Sequence, residues 1–420
     1  MMKQLPKPFA QRGAATLIVV MMLFIVMALL AAYANRSLLF EQRIAGSYAR
    51  ATLAQETGEA AIEWAVTMLN GPAVDAACKP ADAPAGQRFL DRYFKVSSSD
   101  RGIAPLVSLE FVADCTRDGE GWTCRCPAVG ARVAPESTAG DGLVPSFGVA
   151  FMQGKRPGVI LVKPQGCTDS VVDNCGSTTE SSRRQLGTSP QRAQLSLVSA
   201  ARTPPAAPLV AKGDLKSPDG KLGLHNADPR TAGMLLVLGG TAVGLVGDRL
   251  ESLPGTPPAM ARMEGDTVVK NNDVFPMFMG MKRTRYLEHP ALHVVTCDAN
   301  CTGPIEAAYK QGWRMLWVKG PMTLSDGVNV GTETDPVVVV ADGAVNLNNA
   351  VQITGLLVSL GKLTWTNATA LPSVVTGSVV VDGAVETDGL VDIVYRQQVS
   401  DQLRNRLGSF VRVPGGWVDE

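Results

Sequence analysis

Eight cysteines are the residues whose spacing says most about chemistry in this chain: Cys78, Cys115, Cys124, Cys126, Cys167, Cys175, Cys297 and Cys301. Their number is even and all lie downstream of a long apolar segment, the usage of an oxidising compartment. Short loops make the first pairings to expect: Cys115 with Cys124 or Cys126, Cys167 with Cys175, and Cys297 with Cys301. Eight cysteines allow about 105 connectivities. Zinc would need thiolates in fours or joined by nearby histidines, and there are only His225, His289 and His293. His289 and His293 stand at i, i+4, but Pro290 lies between them and no general base is close, so they read as surface or packing histidines. Asp326, Asn329, Glu333 and Asp335 offer oxygen ligands for calcium in one Gly-containing loop, without EF-hand spacing; a solvated loop is the preferred reading. The phosphate-cradling G-x-x-x-x-G-K-[ST], the zinc pair H-E-x-x-H and the nucleophile elbow G-x-S-x-G do not occur. Asp342, Asp382 and Asp388 are scattered turn residues, not the paired carboxylates of a glycosidase. No catalytic residue, metal set or cofactor is expected.

The elements around these residues begin with an anchor. Lys3, Lys7 and Arg12 precede an uncharged run from Ala14 to Ala34, about 21 residues, long enough to span a bilayer. Ala14, Leu17, Ile18, Phe24, Leu30 and Tyr33 represent its lipid-facing surface. The positive flank predicts a cytoplasmic N-terminus and places everything after Asn35 outside. Ala32-Tyr33-Ala34 also reads as a signal-peptidase site, but a signal core is usually about 7 to 15 residues. No proline interrupts the chain from Phe9 to Gly71. Phe40, Ile44, Tyr48, Ala51, Ala54, Gly58, Ala61, Ala65 and Leu69 recur at steps of three or four, which predicts an amphipathic continuation over 35–70. Asn70-Gly71-Pro72 supplies the stop.

Arg12-Gly13-Ala14-Ala15-Thr16-Leu17-Ile18 before an apolar helix resembles the processing site of type IV prepilins. Glu41-Gln42-Arg43-Ile44-Ala45-Gly46, followed by Gln55 to Glu63, is similar to the PilX-type minor pilins. The resemblance covers about the first 70 residues. It implies a leader over 1–13, cleaved by a prepilin peptidase between Gly13 and Ala14, with methylation of the new terminus. In major pilins the fifth mature residue is Glu; here it is Ile18. PilX-like minor pilins and the large pseudopilin of type II secretion also lack that Glu, so the resemblance implies an initiator or tip subunit.

The exported part divides into three. Short apolar runs at 106–112, 144–152, 158–162 and 193–198 between turn-rich stretches predict an antiparallel sheet, so 71–201 reads as a disulfide-stapled α+β head with the helix packed on it. A Pro-rich linker follows at 202–208. The remainder, 209–420, is β-rich. Within 337–395, Ile353 to Leu363 aligns with Val375 to Val385 at an offset of 22, and Val339 to Val345 lies 18 earlier; turn residues Gly343, Gly361 and Gly383 suit rungs of a parallel β-solenoid. Val399, Leu403 and Leu407 are expected to cap its last rung, and Val413-Pro414-Gly415-Gly416-Trp417 is similar to the ending of long PilX-like proteins. Residues 255–322, with Ala307, Ala308, Tyr309 and Trp313, suggest helical insertions.

The fold class expected is therefore α+β: a long N-terminal helix on an antiparallel sheet, then a parallel solenoid. Charge is balanced at 39 basic against 39 acidic residues with no basic run after the N-terminus, which disfavours nucleic acid. The resemblance implies an inner-membrane, single-pass minor pilin with a periplasmic bulk, carried to the pilus tip on assembly. Its partners would be other minor pilins, the major pilin, the prepilin peptidase and a large tip adhesin. The alternatives are a type II secretion tip pseudopilin and an anchored or secreted solenoid that binds or cleaves glycans.

Overall fold

The computed structural model describes residues 14–119, 121–131, 143–176, 186–325 and 327–419. Its first element, α1, is a helix of 57 residues from Ala14 to Asn70, on the order of 85 Å long at 1.5 Å per residue. Straight-chain apolar residues and alanines sustain it, and Gly71-Pro72 ends it because proline cannot donate the next helical bond. The 18-residue window of highest hydropathy averages 2.9 and is wholly exposed, so this is a helix long and apolar enough to cross a membrane.

The outer turns of α1 carry the head. Ala54, Ile62, Ala61, Ala65 and Leu69 are buried. They lie against a six-stranded antiparallel sheet ordered Gly408–Asp419, Thr188–Ser199, Val159–Cys167, Ser146–Gln153, Phe111–Asp118, Gly121–Arg125. Alanines on the helix and Gly166 on the sheet let the backbones approach: a Cβ on Gly166 would sit 2.1 Å from the Ala54 carbonyl oxygen. An aromatic cluster of Trp64, Phe89, Tyr93, Phe94, Phe147 and Phe151 fills the space behind.

Two expectations change here. The stripe continues toward the N-terminus as Phe40, Ile44, Tyr48 and Ala51, but these residues are exposed, because the strands Val159–Cys167 and Thr188–Ser199 end where Gly166 meets Ala54 and Gly187 meets Arg50. The edge strand of the head is Gly408–Asp419, so the head is not confined to 71–201, and 209–420 is not one separate region. The Pro-rich segment 202–208 is packed, with Ala207 buried and Thr203 N–H donating to the Phe278 carbonyl.

Among the described residues, 209–394 wind into a three-sided parallel stack of six full rungs. In spatial order these are 236–251, 209–225, 377–394, 355–376, 337–353 and 315–330, with single strands Arg262–Met263 and Leu292–Val295 beyond each end of the first face. The repeat offsets of 22 and 18 are the strand registers themselves: Ile353 pairs with Val375, Leu363 with Val385, and Val339 with Leu357. Gly343, Gly361 and Gly383 stack at one corner, where a Cβ on Gly383 would lie 2.8 Å from the Gly361 carbonyl oxygen. A second corner turns on Gly355 and Gly377, at φ 150° and 132°. There long strands bend from the third face to the first, and a Cβ on Gly377 would lie 2.0 Å from the Gly355 carbonyl oxygen.

The rung formed first in the sequence, 209–225, sits beside the one formed last, 377–394, through Leu209–Val379, Leu215–Val385 and Leu222–Val391 pairing. The last rung therefore has no open edge to hide, and the helix Gln397–Asn405 does not cap the stack. Its Val399 and Leu403 instead lie over the first face, in a cluster with Leu356, Val358, Val380 and Ala200, between stack and head. The end at 315–330 is closed by the helix Thr302–Lys310, whose Ile305 and Ala308 enter the core. The insertion at 255–322 contains further short helices, Thr267–Asn271, Val274–Met279 and Arg283–Tyr286.

Candidate functional site

The residues singled out in the anchor lie together on a bare helix. Leu17, Ile18, Phe24, Leu30 and Tyr33 are all more than half exposed. Ala14 begins the helix, whereas Gly13 and Asp326 lie outside the described residues. From Ala15 to Thr52 no described side chain is buried, a projection of roughly 57 Å at 1.5 Å per residue. A hydrocarbon core of about 30 Å accounts for little more than half of it. The surplus, 35–52, carries Arg36, Glu41, Arg43 and Arg50 together with exposed Leu38, Leu39, Phe40, Ile44 and Tyr48. This is an amphipathic rod that the head leaves bare below Arg50, where Gly187 lies against its backbone.

The rod is fixed rigidly to the head. Asn70, the final residue of α1, is buried, and its side chain mimics a neighbouring strand: Nδ2 donates to the Phe410 carbonyl (2.8 Å), and Oδ1 accepts from the Phe410 N–H (2.7 Å). The end of the helix is thereby tied to the edge strand of the head. Head and stack are joined by a chain of charges. Arg88 bonds Asp91 (2.6 Å) and Asp335 (2.8 Å), Arg314 also meets Asp335 (2.8 Å), and Arg406 meets Asp91 (2.7 Å). Sequence reasoning missed both devices. A polar residue at a helix end and isolated charges in loops carry no local signal of partners hundreds of positions away.

The cysteines join as Cys78–Cys126, Cys115–Cys124, Cys167–Cys175 and Cys297–Cys301. Three of these staple the head, and the fourth braces the start of the capping helix. The expected Cys115 alternative resolves to Cys124 because the two face one another across adjacent strands.

The histidines do not converge. His289 is buried, its Nδ1 2.9 Å from the Ser409 hydroxyl and its ring against Tyr286; burial, with Arg285 nearby, pushes it down to about 4. His293 stacks on Trp313 with ring centroids 4.8 Å apart. His225 lies on the third face of the stack, Nε2 3.1 Å from Asp392 and Nδ1 3.1 Å from Glu251, with Arg249 also on Asp392 at 2.5 Å. The hydrogen bond to Asp392 raises its pKa against the opposing effect of burial, with Glu251 adding to the rise. Of the calcium candidates, Asp335 is engaged by two arginines and Glu333 faces Arg396 at 3.5 Å. Among the described residues no group of three or more His, Cys, Asp or Glu is placed to hold a metal ion. Val413 to Gly416 form an irregularity in the edge strand Gly408–Asp419, leaving Trp417 partly exposed.

Residues 12–63 match the family model for the PilX N-terminal domain. Over these residues the chain is similar to PilX-type pilins. The match runs from the arginine before the Gly13–Ala14 bond to the turn where α1 meets the head, so it takes in the whole exposed rod. No curated protein and no solved structure matches the chain. The PilX-like N-terminus thus supports a minor pilin of a type IV pilus and suggests other pilus components as partners, and the apolar helix is consistent with a membrane anchor.

Proposed function

We propose that this minor pilin acts at the start of pilus assembly, as a priming or tip subunit. One observation carries the reading: the 52 residues matched to the PilX N-terminal domain coincide with a helix whose apolar surface stays uncovered well beyond membrane thickness. Such a surface is stable in water only when other helices cover it. In the membrane it packs against lipid and against the helices of other minor pilins; in the pilus it packs against pilin helices along its full exposed length. Ile18 fits this place. A subunit without a carboxylate at that depth cannot neutralise the terminal amine of a neighbour in an apolar setting, so it serves better at an end of the filament than as its repeating unit.

In this reading the N-terminus is cytoplasmic before assembly, and the prepilin peptidase removes 1–13 between Gly13 and Ala14. Head and stack lie in the periplasm, where the four disulfides form, and ride at the tip afterwards, where they present an adhesin or touch a surface. The protein works by assembly and not by catalysis. Intact mass and N-terminal peptide analysis of protein made with its native processing machinery tests this. A methylated Ala14 terminus is expected. A start at Asn35 would mean an ordinary signal peptide and overturn the reading, and an uncut N-terminus would remove its assembly step.

A further inference from the structure

The three faces of the stack differ in what they offer outward. On the first face the outward residues Val338, Val340, Leu356 and Val358 are buried under helices. The third mixes valines with the His225 charge cluster. The second face is ordered Ala242–Val243, Leu215–Lys216, Val385–Gly389, Leu363–Asn367, Val345–Asn348, Met322–Leu324, and its three strands at the Met322 end point polar, uncharged residues outward. Its inward residues Leu347, Leu363, Trp365 and Val385 are buried. Its outward residues form two columns in register. Thr323, Asn346, Thr364, Glu386, Lys216 and Val243 make one, uncharged and polar over its first three members, and Asn348, Thr366 and Asp388 make the other.

Along a strand the paired outward residues are about 6.6 Å apart, and each column repeats at about 4.8 Å. These side chains are partly exposed or, for Asp388, exposed. Thr366 donates to Asn348 (3.2 Å), while Thr323, Asn346 and Thr364 make no side-chain hydrogen bond among the described residues. Glu386 is neutralised by Lys362 at 2.5 Å. The centre of the face is therefore an uncharged grid of hydroxyl and amide groups, each able to donate and accept, held at fixed intervals on stiff β-branched or strand-bound side chains.

We propose that this second face binds an extended, β-linked neutral polysaccharide laid along the stack axis. Such a polymer presents hydroxyl and amide groups along its edges at nearly the interval of the strands, so successive sugars meet successive rungs. The grid selects against other occupants. A protein strand cannot add to a face whose backbone is already paired within the sheet. An apolar partner finds no apolar surface at the centre, and a nucleic acid finds no basic track there. Because the grid is preorganised, little ordering entropy is lost on binding. The site is independent of the pilin reading, which stands on α1.

The test uses the full chain in phosphatidylcholine nanodiscs, with insoluble chitin and cellulose for retention and with chitohexaose and cellohexaose for titration. Retention on at least one polymer is expected, with binding weakened at least tenfold by Thr364→Val combined with Thr366→Val. Thr354→Val combined with Thr376→Val on the third face should leave binding unchanged. Valine keeps shape and strand preference; should the first pair unfold, Asn346→Lys with Asn348→Lys blocks the same columns from the outside. No binding to any of the four probes, or binding indifferent to the second-face variants, overturns the proposal. So does depression of ice growth without glycan binding, which would make the occupant an ordered water lattice.

Discussion

Asn70→Ala is the substitution whose consequence can be worked furthest. The Phe410 N–H and C=O lie on the outer side of an edge strand, where the Asn70 amide satisfies both. Phe410 is 1% exposed, so water does not replace the amide without opening the strand. Leaving a buried donor or acceptor unpaired costs about 1–3 kcal/mol, so two together cost roughly 2–6 kcal/mol. The gain from alanine's better helix propensity is at most about 0.7 kcal/mol, too little to offset this. The net loss, about 3 kcal/mol, is a large share of the 5–15 kcal/mol that typically separates folded from unfolded domains. Asn70→Asp keeps the acceptor for the Phe410 N–H but turns a carboxylate toward its carbonyl, and should be no better. Hydrogen exchange read by mass spectrometry should show faster exchange in peptides covering 408–412 and 188–199, with 379–381 in the stack unchanged, and a lower urea midpoint for the head. Unaltered exchange at 408–412 in Asn70→Ala would refute the argument that this side chain ties helix to strand.

Further outcomes are expected. His225 donates to two carboxylates only as a cation, and its pKa is raised chiefly by Asp392; its contribution is present below the ordinary value near 6.5 and is lost as pH rises through the folded value, so exchange at 222–225 and 391–394 should quicken on the alkaline side, and His225→Gln should remove that dependence. His289 acts in the opposite sense: between its folded value of about 4 and about 6.5 the unfolded chain binds the extra proton, so stability falls with acid over that interval, and His289→Gln should flatten an acid denaturation curve there. Replacing Cys78 and Cys126 by serine frees a separation of 48 residues, against 4 for Cys297 and Cys301. Loop entropy gives about 4 and about 2 kcal/mol respectively, so calorimetry should show the larger drop in melting temperature for the first pair. Gly377→Ala forces a side chain toward the Gly355 carbonyl at a positive φ, worth at least about 1–3 kcal/mol of strain; an unchanged melting temperature would mean that the corner relaxes without cost.

What could be read from the sequence was whatever is written locally or by repetition. α1 is legible because uninterrupted apolar and alanine-rich sequence has few other uses. The offsets of 22 and 18 became strand registers because each rung repeats one pattern of inward valines and leucines. The lower stripe at Phe40, Ile44 and Tyr48 has the same periodicity as the buried stripe at Ala61 and Ala65, and only the extent of the sheet distinguishes them. The return of 408–419 to the head and the meeting of 209–225 with 377–394 were not legible, since a short apolar strand does not state which edge it will join. The polar columns were hidden for a different reason: Asn346, Thr364 and Glu386 share a face only once the register is known.

That ordering of rungs bears on how the molecule comes to be made. The strand Leu209–Ala211 waits for Val379–Val381, about 170 positions later, and Thr188–Ser199 waits for Gly408–Asp419, more than 200 later. Contacts this distant in sequence form slowly and leave partly built sheets exposed meanwhile. Because synthesis runs from the N-terminus, neither the head nor the stack can close on its own, and both close on arrival of the same C-terminal fifty or so residues. A copy interrupted before that point keeps two open sheet edges, a mark by which an unfinished chain differs from a complete one.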